Sequence, residues 1–460
     1  MNKTFLRRAV LAAAISSASS GAMAAGFYLQ ETSTSGLGRA FAAENAIGDN
    51  AAILARNPAG SALFKEISIS GGVSYINPEI DAAGDVTYFL PNPITGGFIP
   101  LEPIPIKDDD YSPSAFIPNA YLALPIDDCW SFGLSMYTTY GLETDFSSDW
   151  LVTTIADKTE LLTVNIAPSV AYDYNDQFSI GLAVNFLYAD ATLKTKFPSN
   201  FPLDPSASNT SILDYDNADD WDVSWSIGAL WNITDRTRFG ISYHAELDPE
   251  LEGDVNSDIL PTALIPTLPP FHNADGNVTL DLPDTWELGL YHRFDNYWGI
   301  ALGAMWTDWD DFERLEAFVP EGGAPFDPLL FKEENFSSGW RYSIAGEYYP
   351  CEEVTWRIGY AYDEGAARDG LNPDEPTANA LGLPVTWRTL SIPDTDRQWV
   401  TFGGTYKFNN QLSIDGGFAY LWGDDETIQE ITPIPVPTYF DGGTTNIEAW
   451  LAGVSLNYTW

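Results

Sequence analysis

The sequence predicts an all-β protein: a 14-stranded antiparallel barrel that crosses a membrane. Three observations carry the prediction. Fourteen segments of alternating apolar and polar residues run from about Lys65 to the end, their connections alternate between short and long, and the last strand closes on Trp460. A period of two gives each strand one apolar and one polar face. Repeated this often with no helical stretch between, it describes a closed sheet, apolar toward lipid and polar toward a lumen.

Residues 1–24 read as a secretion signal. Lys3, Arg7 and Arg8 form a basic start, residues 9–15 a short apolar core, and Ala22-Met23-Ala24 an A-x-A cleavage site, so the mature chain is expected to begin at Ala25. The core is too short to span a bilayer as a helix, and no later uncharged apolar stretch reaches the ~18 residues that would. A soluble secreted protein would share this signal. A β-sandwich, however, would have to turn its apolar faces inward around one core, and the barrel pattern is long for that.

Residues 25–64 lack the alternation. They are rich in glycine, alanine and small polar residues, and too long for a simple lead-in. A disordered tail, a periplasmic arm and a plug inside the barrel all fit, and the alanine, isoleucine and phenylalanine content favours burial. The barrel follows over 65–460. Its strands are expected at 65–77, 114–126, 130–143, 160–174, 178–194, 223–233, 238–252, 277–294, 297–315, 339–349, 354–364, 388–408 (regular from 398), 412–423 and 448–460. Tight Asn-, Asp- or Pro-containing turns alternate with longer connections such as 78–113, 195–222, 253–276, 316–338 and 365–387. Short periplasmic turns and long outer loops are the habit of outer-membrane barrels. Outward faces read directly: Phe178, Ile180, Leu182, Val184, Phe186 and Tyr188 on strand five, and Leu412, Ile414, Gly416, Phe418, Tyr420 and Trp422 on strand thirteen. Aromatics gather toward strand ends, as a membrane-interface girdle requires.

The net charge is −44, and three of the 21 basic residues belong to the signal. That balance excludes nucleic acid as a partner, because phosphate contacts need Lys and Arg. Many acids are expected in loops, at 108–110, 214–222 and 424–426. Solvated loop tips or adaptation to salt explain them, and so does divalent-cation bridging to outer-membrane lipopolysaccharide. No EF-hand pattern, cysteine cluster or nucleotide loop is present, so no metal or cofactor is expected. Cys129 and Cys351 fall in turns far apart around a 14-strand ring, too distant for a disulfide. The histidines, His244, His272 and His292, form no constellation with a serine, and no enzyme is expected. His244 should face the lumen beside Glu246.

Three groups of residues stand out physically. Phe197, Phe201, Leu260, Leu264, Ile265, Leu268 and Phe271 put apolar side chains into the third and fourth outer loops. They form either a self-packed lid or a groove for an apolar solute, and a lid that parts is both. Gly141, after Tyr140, puts glycine inside strand three, the mark of a bulge or bend that would open the wall beside it. Alternation turns Arg341, Arg357 and Arg397 into the lumen with Glu347, Asp363 and Asp415. These form an ion-pair ladder, or one arginine meets a substrate carboxylate.

Five stretches in order then acquire a common meaning. Ala25-Gly26-Phe27-Tyr28-Leu29-Gln30-Glu31 with Ser35-Gly36-Leu37-Gly38-Arg39-Ala40, Asn57-Pro58-Ala59, Tyr140-Gly141-Leu142, Leu282-Pro283-Asp284-Thr285-Trp286-Glu287 and Ile392-Pro393-Asp394-Thr395-Asp396-Arg397 resemble the long-chain fatty-acid transporter (FadL) family. The resemblance covers essentially the whole mature chain. It implies a monomeric 14-strand barrel closed by an N-terminal hatch over 25–64. Hydrophobic molecules, fatty acids or neutral hydrocarbons, would be caught between outer loops, pass to a pocket near the N-terminus and leave sideways at a kink of strand three. In that hatch Gly36 and Gly38 would allow tight turns, Pro58 would fix φ beside Ala59, and Arg39 and Asn57 would tie hatch to wall. Trp460, with Tyr458 and Leu456 outward, is similar to the terminal signal read by the barrel-assembly machinery, although most family members end in phenylalanine. A general porin and a surface receptor are the other roles the fold allows.

Overall fold

The computed structural model describes residues 26–262, 269–319, 330–433 and 436–460. The expected signal lies outside them. The chain forms a closed antiparallel barrel of fourteen strands. Strand one, Ser68–Pro91, pairs with strand two, Ala115–Pro125, on one side and with strand fourteen, Thr438–Thr459, on the other. The ring thus has no open edge, the condition for a sheet in lipid. It runs on through strand three (Trp130–Tyr137, then Gly141–Asp145), four (Lys158–Asn175), five (Phe178–Lys196), six (Ser211–Thr234) and seven (Thr237–His244, then Glu250–Asn256). Strand eight follows (Ala274–Thr279, then Thr285–Arg293), with nine (Trp298–Thr307, then Arg314–Phe318), ten (Gly339–Tyr348), eleven (Val354–Asp363), twelve (Arg397–Lys407) and thirteen (Leu412–Gly423, then Glu426–Thr432).

The short turns share one device. Asp127, Asn175, Asp295 and Asn409 each turn a side-chain oxygen back onto the backbone N–H groups two and three residues on, at 2.7–2.9 Å. This is the Asx-turn that makes these residues turn formers. Outside, Phe178, Ile180, Leu182, Val184 and Phe186 alternate exposed with buried neighbours, as do Phe418 and Tyr420, so the apolar face meets lipid.

Several expectations need correction. Strands one, six and fourteen run well past the predicted ends, so residues 78–91, 214–222 and 438–447 are strand, and the acids of 214–222 lie on an extended ladder, not in a loop. Beyond the bilayer both faces of a strand meet water, and the period-two signal fades. Strands seven, eight and nine are interrupted at about one level, over 245–249, 280–284 and 308–313. Because strand seven breaks there, His244 faces the lumen, its Nε2 3.1 Å from the Arg56 carbonyl, while Glu246 is exposed outside. Residues 388–396 are loop, not the start of strand twelve. A helix, Pro376–Leu381, capped by Glu375 and by left-handed Gly382, is too short to leave a periodic trace. The lumen is also not polar throughout: Ile76, Ile80, Trp399, Leu421 and Leu451 are buried inside it with apolar residues of the hatch and loops.

Residues 26–64 fill the lower lumen and are almost wholly buried. They form one helical turn, Thr34–Leu37, capped by Ser33, and two 3-10 turns, Ala51–Ala55 capped by Asn50 and Pro58–Leu63 capped by Asn57. Pro58 opens its turn at the first position, where a missing N–H costs nothing. The tight bend lies at Ala40, Phe41 and Ala43, all with positive φ, and not at Gly36 or Gly38. Those two glycines give room: a Cβ on Gly36 would stand 2.7 Å from Glu44 Oε2, and one on Gly38 2.9 Å from the Gly403 Cα.

Candidate functional site

The hatch is seated by close backbone approach. Facing it around the wall are Gly181, Gly228, Gly289, Gly303, Gly359, Gly403 and Gly417. A Cβ on Gly359 would fall 2.4 Å from the Arg39 carbonyl carbon, and one on Gly228 2.0 Å from Asn57 Oδ1. Side chains are absent where the hatch backbone touches the wall, so polar groups of the two parts meet directly. Asn57 Nδ2 donates to the carbonyls of Asn45 in the hatch (2.8 Å), Ala229 on strand six (3.2 Å) and Ile241 on strand seven (3.5 Å). Its Oδ1 accepts from Ala59 N (3.0 Å).

On the opposite side Arg39, fully buried, pairs with Glu44 (2.7 Å) and Asp49 (2.7 Å) of the hatch and with Glu347 of strand ten (3.0 Å). Arg357 of strand eleven closes the square, 3.0 Å from both Glu347 and Asp49. Desolvating these charges is costly, and the network is tolerable because each ion has opposite partners on both sides.

Strand three breaks at 138–140. Strand two pairs with strand three only up to Ala120 and Met136, while its residues 115–119 pair with strand one alone. Above the break, Gly141–Asp145 pairs only with strand four. The two strands rejoin through Ser112 Oγ to the Glu143 carbonyl (3.1 Å) and Asp145 N to the Tyr111 carbonyl (2.8 Å). Between these levels the wall carries an unpaired slot. The hatch tip occupies its inner side: Gly141 N donates to Phe27 O (3.0 Å) and Leu29 N to Thr139 O (2.7 Å). The inward-turned Tyr140 hydroxyl reaches across the lumen to the Pro283 carbonyl at 2.9 Å.

Phe27 leads into an aromatic pocket. Its ring lies edge-on to Trp309 (4.7 Å), Phe312 (5.3 Å) and Tyr140 (6.2 Å), with Phe336, Leu282 and Met305 completing the cluster. The interruptions in strands eight and nine turn Leu282, Trp309 and Phe312 inward. A second apolar cluster climbs from Leu37 and Phe41 of the hatch past Trp399 to Phe197, Phe201 and Leu260 in the loops.

Those loop residues therefore pack as a lid, with Phe271 half-buried against it. Leu264, Ile265 and Leu268 lie outside the described residues. A pocket of about 360 Å³ opens at the outer face, lined by apolar Ile155, Ile212, Leu213, Leu260 and Val385 and by polar side chains that include Glu333, Asn372 and Thr389. In its lining Lys332 donates to Ser391 Oγ (2.7 Å) and Glu430 (3.0 Å), tying three outer segments together.

The three lumenal arginines differ. Arg357 is committed to the hatch anchor, and Arg397 pairs with Asp394 at 3.0 Å. Arg341 is buried between the Phe41 and Trp399 rings, 5.8 and 5.4 Å from its guanidinium carbon. Its one ion-pair contact among the described residues is Asp363 at 3.9 Å, and its Nε and Nη2 find no hydrogen-bond partner there. Sequence reasoning missed the glycine belt, the aromatic pocket and the outer pocket. Glycines recurring at inward positions of consecutive strands were the available signal for the first.

Among the described residues no group of His, Cys, Asp or Glu is arranged to hold a metal ion. A closed ring of strands with a seated plug, internal apolar clusters and a wall slot defines an outer-membrane transport barrel. The chain belongs to the outer membrane protein transport protein (OMPP1/FadL/TodX) family, whose model matches residues 15–460. It is 31% identical over 487 residues to the long-chain fatty acid transport protein of Shigella flexneri, covering 99% of each chain. Its fold is similar to the crystal structure of a Pseudomonas aeruginosa FadL homologue, with a TM-score of 0.78 and 23% identity over 94% of this chain and 99% of the other. The toluene transporter TbuX of Ralstonia pickettii shares the fold at a TM-score of 0.58 and 15% identity, covering 89% of this chain and 94% of that one.

Proposed function

We propose that the protein carries long-chain fatty acids or similar hydrophobic molecules passively across the outer membrane. The outer pocket receives the chain and the parting lid passes it down the apolar cluster. It displaces Phe27 from the aromatic pocket and leaves for the bilayer through the strand-three slot. The observation that carries this reading is the hatch tip itself: one short segment fills the pocket with Phe27 and lines the slot with two backbone hydrogen bonds. Moving it would vacate both at once. An aqueous pore gives an alkyl chain no favourable surface, whereas this route buries it at about 25 cal/mol per Å².

Arg341 is the group we assign to a substrate carboxylate, because its neighbours leave donors unused. Arg341→Met should weaken binding of a long-chain carboxylate roughly 10- to 100-fold and leave a long-chain alkane unchanged, as measured by competition on the purified protein. Equal effects on both would discard the assignment. Neutral hydrocarbon is the second reading, favoured by an outer surface acidic enough to repel anions. We further infer that the signal is removed after Ala24, that the chain works as a monomer in contact with lipopolysaccharide, and that Trp460 is read by the barrel-assembly machinery. Mass spectrometry of the solvent extract of the purified protein separates the two substrate classes. Fatty acids would support the first and alkanes or aromatics the second. An empty protein that conducts ions freely would return the porin.

A further inference from the structure

The outer face is acidic except for one prong. From residue 89 to 106 the first outer connection carries a single charged residue, Glu102. Phe89, Leu90 and Pro91 pair antiparallel with Pro100, Ile99 and Phe98, and a turn at 92–97 forms the tip. The tip is ordered: Asn92 N donates to Gly97 O (2.7 Å), Asn92 Oδ1 accepts from Ile94 N (3.0 Å), and Gly96 supplies the positive φ. None of this chemistry needs an apolar residue at 94, yet Ile94 is 91% exposed, with Leu90, Phe98 and Ile99 exposed beside it. Singly exposed apolar residues are ordinary, but four on one uncharged projection are not.

The prong is held from below. Phe89 packs with Ala378, Val385 and Tyr439, and Leu101, Ile104 and Ile106 pack against the lid cluster. It is an extension of the lid, packed at its base. Its exposed chemistry restricts what can sit on it. Pro91, Pro93, Pro100, Pro103 and Pro105 remove the N–H groups that an added β-strand would need. Binders of lipid headgroups carry Lys or Arg with Trp or Tyr at the interface, and residues 89–100 contain none of these. These absences fit an occupant that offers apolar contact and asks for neither charge nor backbone hydrogen bonds, as bare hydrocarbon does.

We propose that this hairpin docks on a bare, uncharged hydrocarbon surface, the face of an oil droplet, bringing the lid to the source of its apolar cargo. The inference rests on the transport reading for its purpose only, since docking is read without uptake. Protein in nanodiscs is floated with emulsified hexadecane. The wild type should rise with the droplets above the level of empty nanodiscs, and Ile94→Asp with Phe98→Asp should lower that partition about tenfold or more. A dye that reports polarity, placed by Thr95→Cys after Cys129→Ser and Cys351→Ser, should shift blue with hexadecane and stay unchanged with zwitterionic lipid vesicles. Flotation equal in the double variant, or a dye response as large with vesicles as with oil, would overturn the proposal.

Discussion

The hatch is fastened to the two sides of the barrel by different means. Toward strands ten and eleven its body is bound by three buried charges, Arg39, Glu347 and Arg357, and the partly exposed Asp49, each within 3.0 Å of its partners. Toward strand three its tip is held by two backbone hydrogen bonds and by two rings, Phe27 and Tyr28, packed edge-on to Tyr140. The first attachment is strong and, once broken, leaves uncompensated charge. The second is modest, and an apolar guest can replace its ring contacts. On the proposed route movement is expected at the tip, so that the lumen would admit a hydrocarbon without becoming a water channel.

The strong side should fail first and worst. Glu347→Ala takes one carboxylate partner from each of two buried arginines, leaving Arg39 with Glu44 and Asp49 and Arg357 with Asp49, and should cost about 3 kcal/mol. Planar-bilayer recordings should then show large open events that the wild type lacks, and a silent trace would mean that the anchor is not what seats the hatch. On the weak side, Phe27→Ala should loosen the tip by about 3 kcal/mol with conductance unchanged. Hydrogen exchange at the Gly141 and Leu29 amides reads this, and unaltered protection would show that the ring does not hold the tip. Gly359→Val sharpens the contrast between contact and charge. A side chain pressed against the Arg39 backbone should cost about 1–3 kcal/mol, seen as a lower urea midpoint for hatch release, while Gly346→Val, whose Cβ would meet only a methyl of Ile358 at 3.9 Å, should be mild.

The smallest effect lies in the lid. Glu334 is completely buried, and burial pushes its carboxyl pKa up to about 8, with Lys332 pulling it down and Glu430 pushing it up. A carboxyl whose folded pKa is raised stabilises the fold fully below its unfolded value and loses that contribution as pH climbs through about 8. The amides of Glu334 and Asn335, which donate to Glu313 O, should exchange faster as pH rises through that range. Glu334→Gln should abolish the lid-specific part of the increase, and a glutamine variant with the same profile would remove Glu334 from the account.

These contrasts were unequally legible in the sequence. Strands such as Phe178–Lys196 announce themselves because lipid forces every second side chain to be apolar. The hatch anchor was half legible: alternation put Arg357 and Glu347 on the lumen side, but only the fold brings Asp49 and Arg39 between them. Gly359 and Gly403 look like weak strand residues until the hatch backbone is seen against them. The bend at Ala40, Phe41 and Ala43 breaks the rule that positive φ wants glycine, so nothing local marks it. The lid was open between two readings because Phe197 and Phe201 are apolar either way, and packing decides.

The seam between the first and last strands carries one more consequence. Strand one pairs with strand fourteen from Ser68 to Tyr88, almost its whole length. The hatch precedes that first strand in the chain, so it is synthesised before any of the wall exists, and the ring can be completed only when the final segment arrives. Once the ring has shut, the plug can no longer enter through the side; it must already be inside or come up from the periplasmic mouth. A variant with a faulty plug would therefore still be delivered to the membrane as a finished cylinder. Its defect would appear as leakage in living cells and not as missing protein, which makes sensitivity to large antibiotics a more telling screen than abundance.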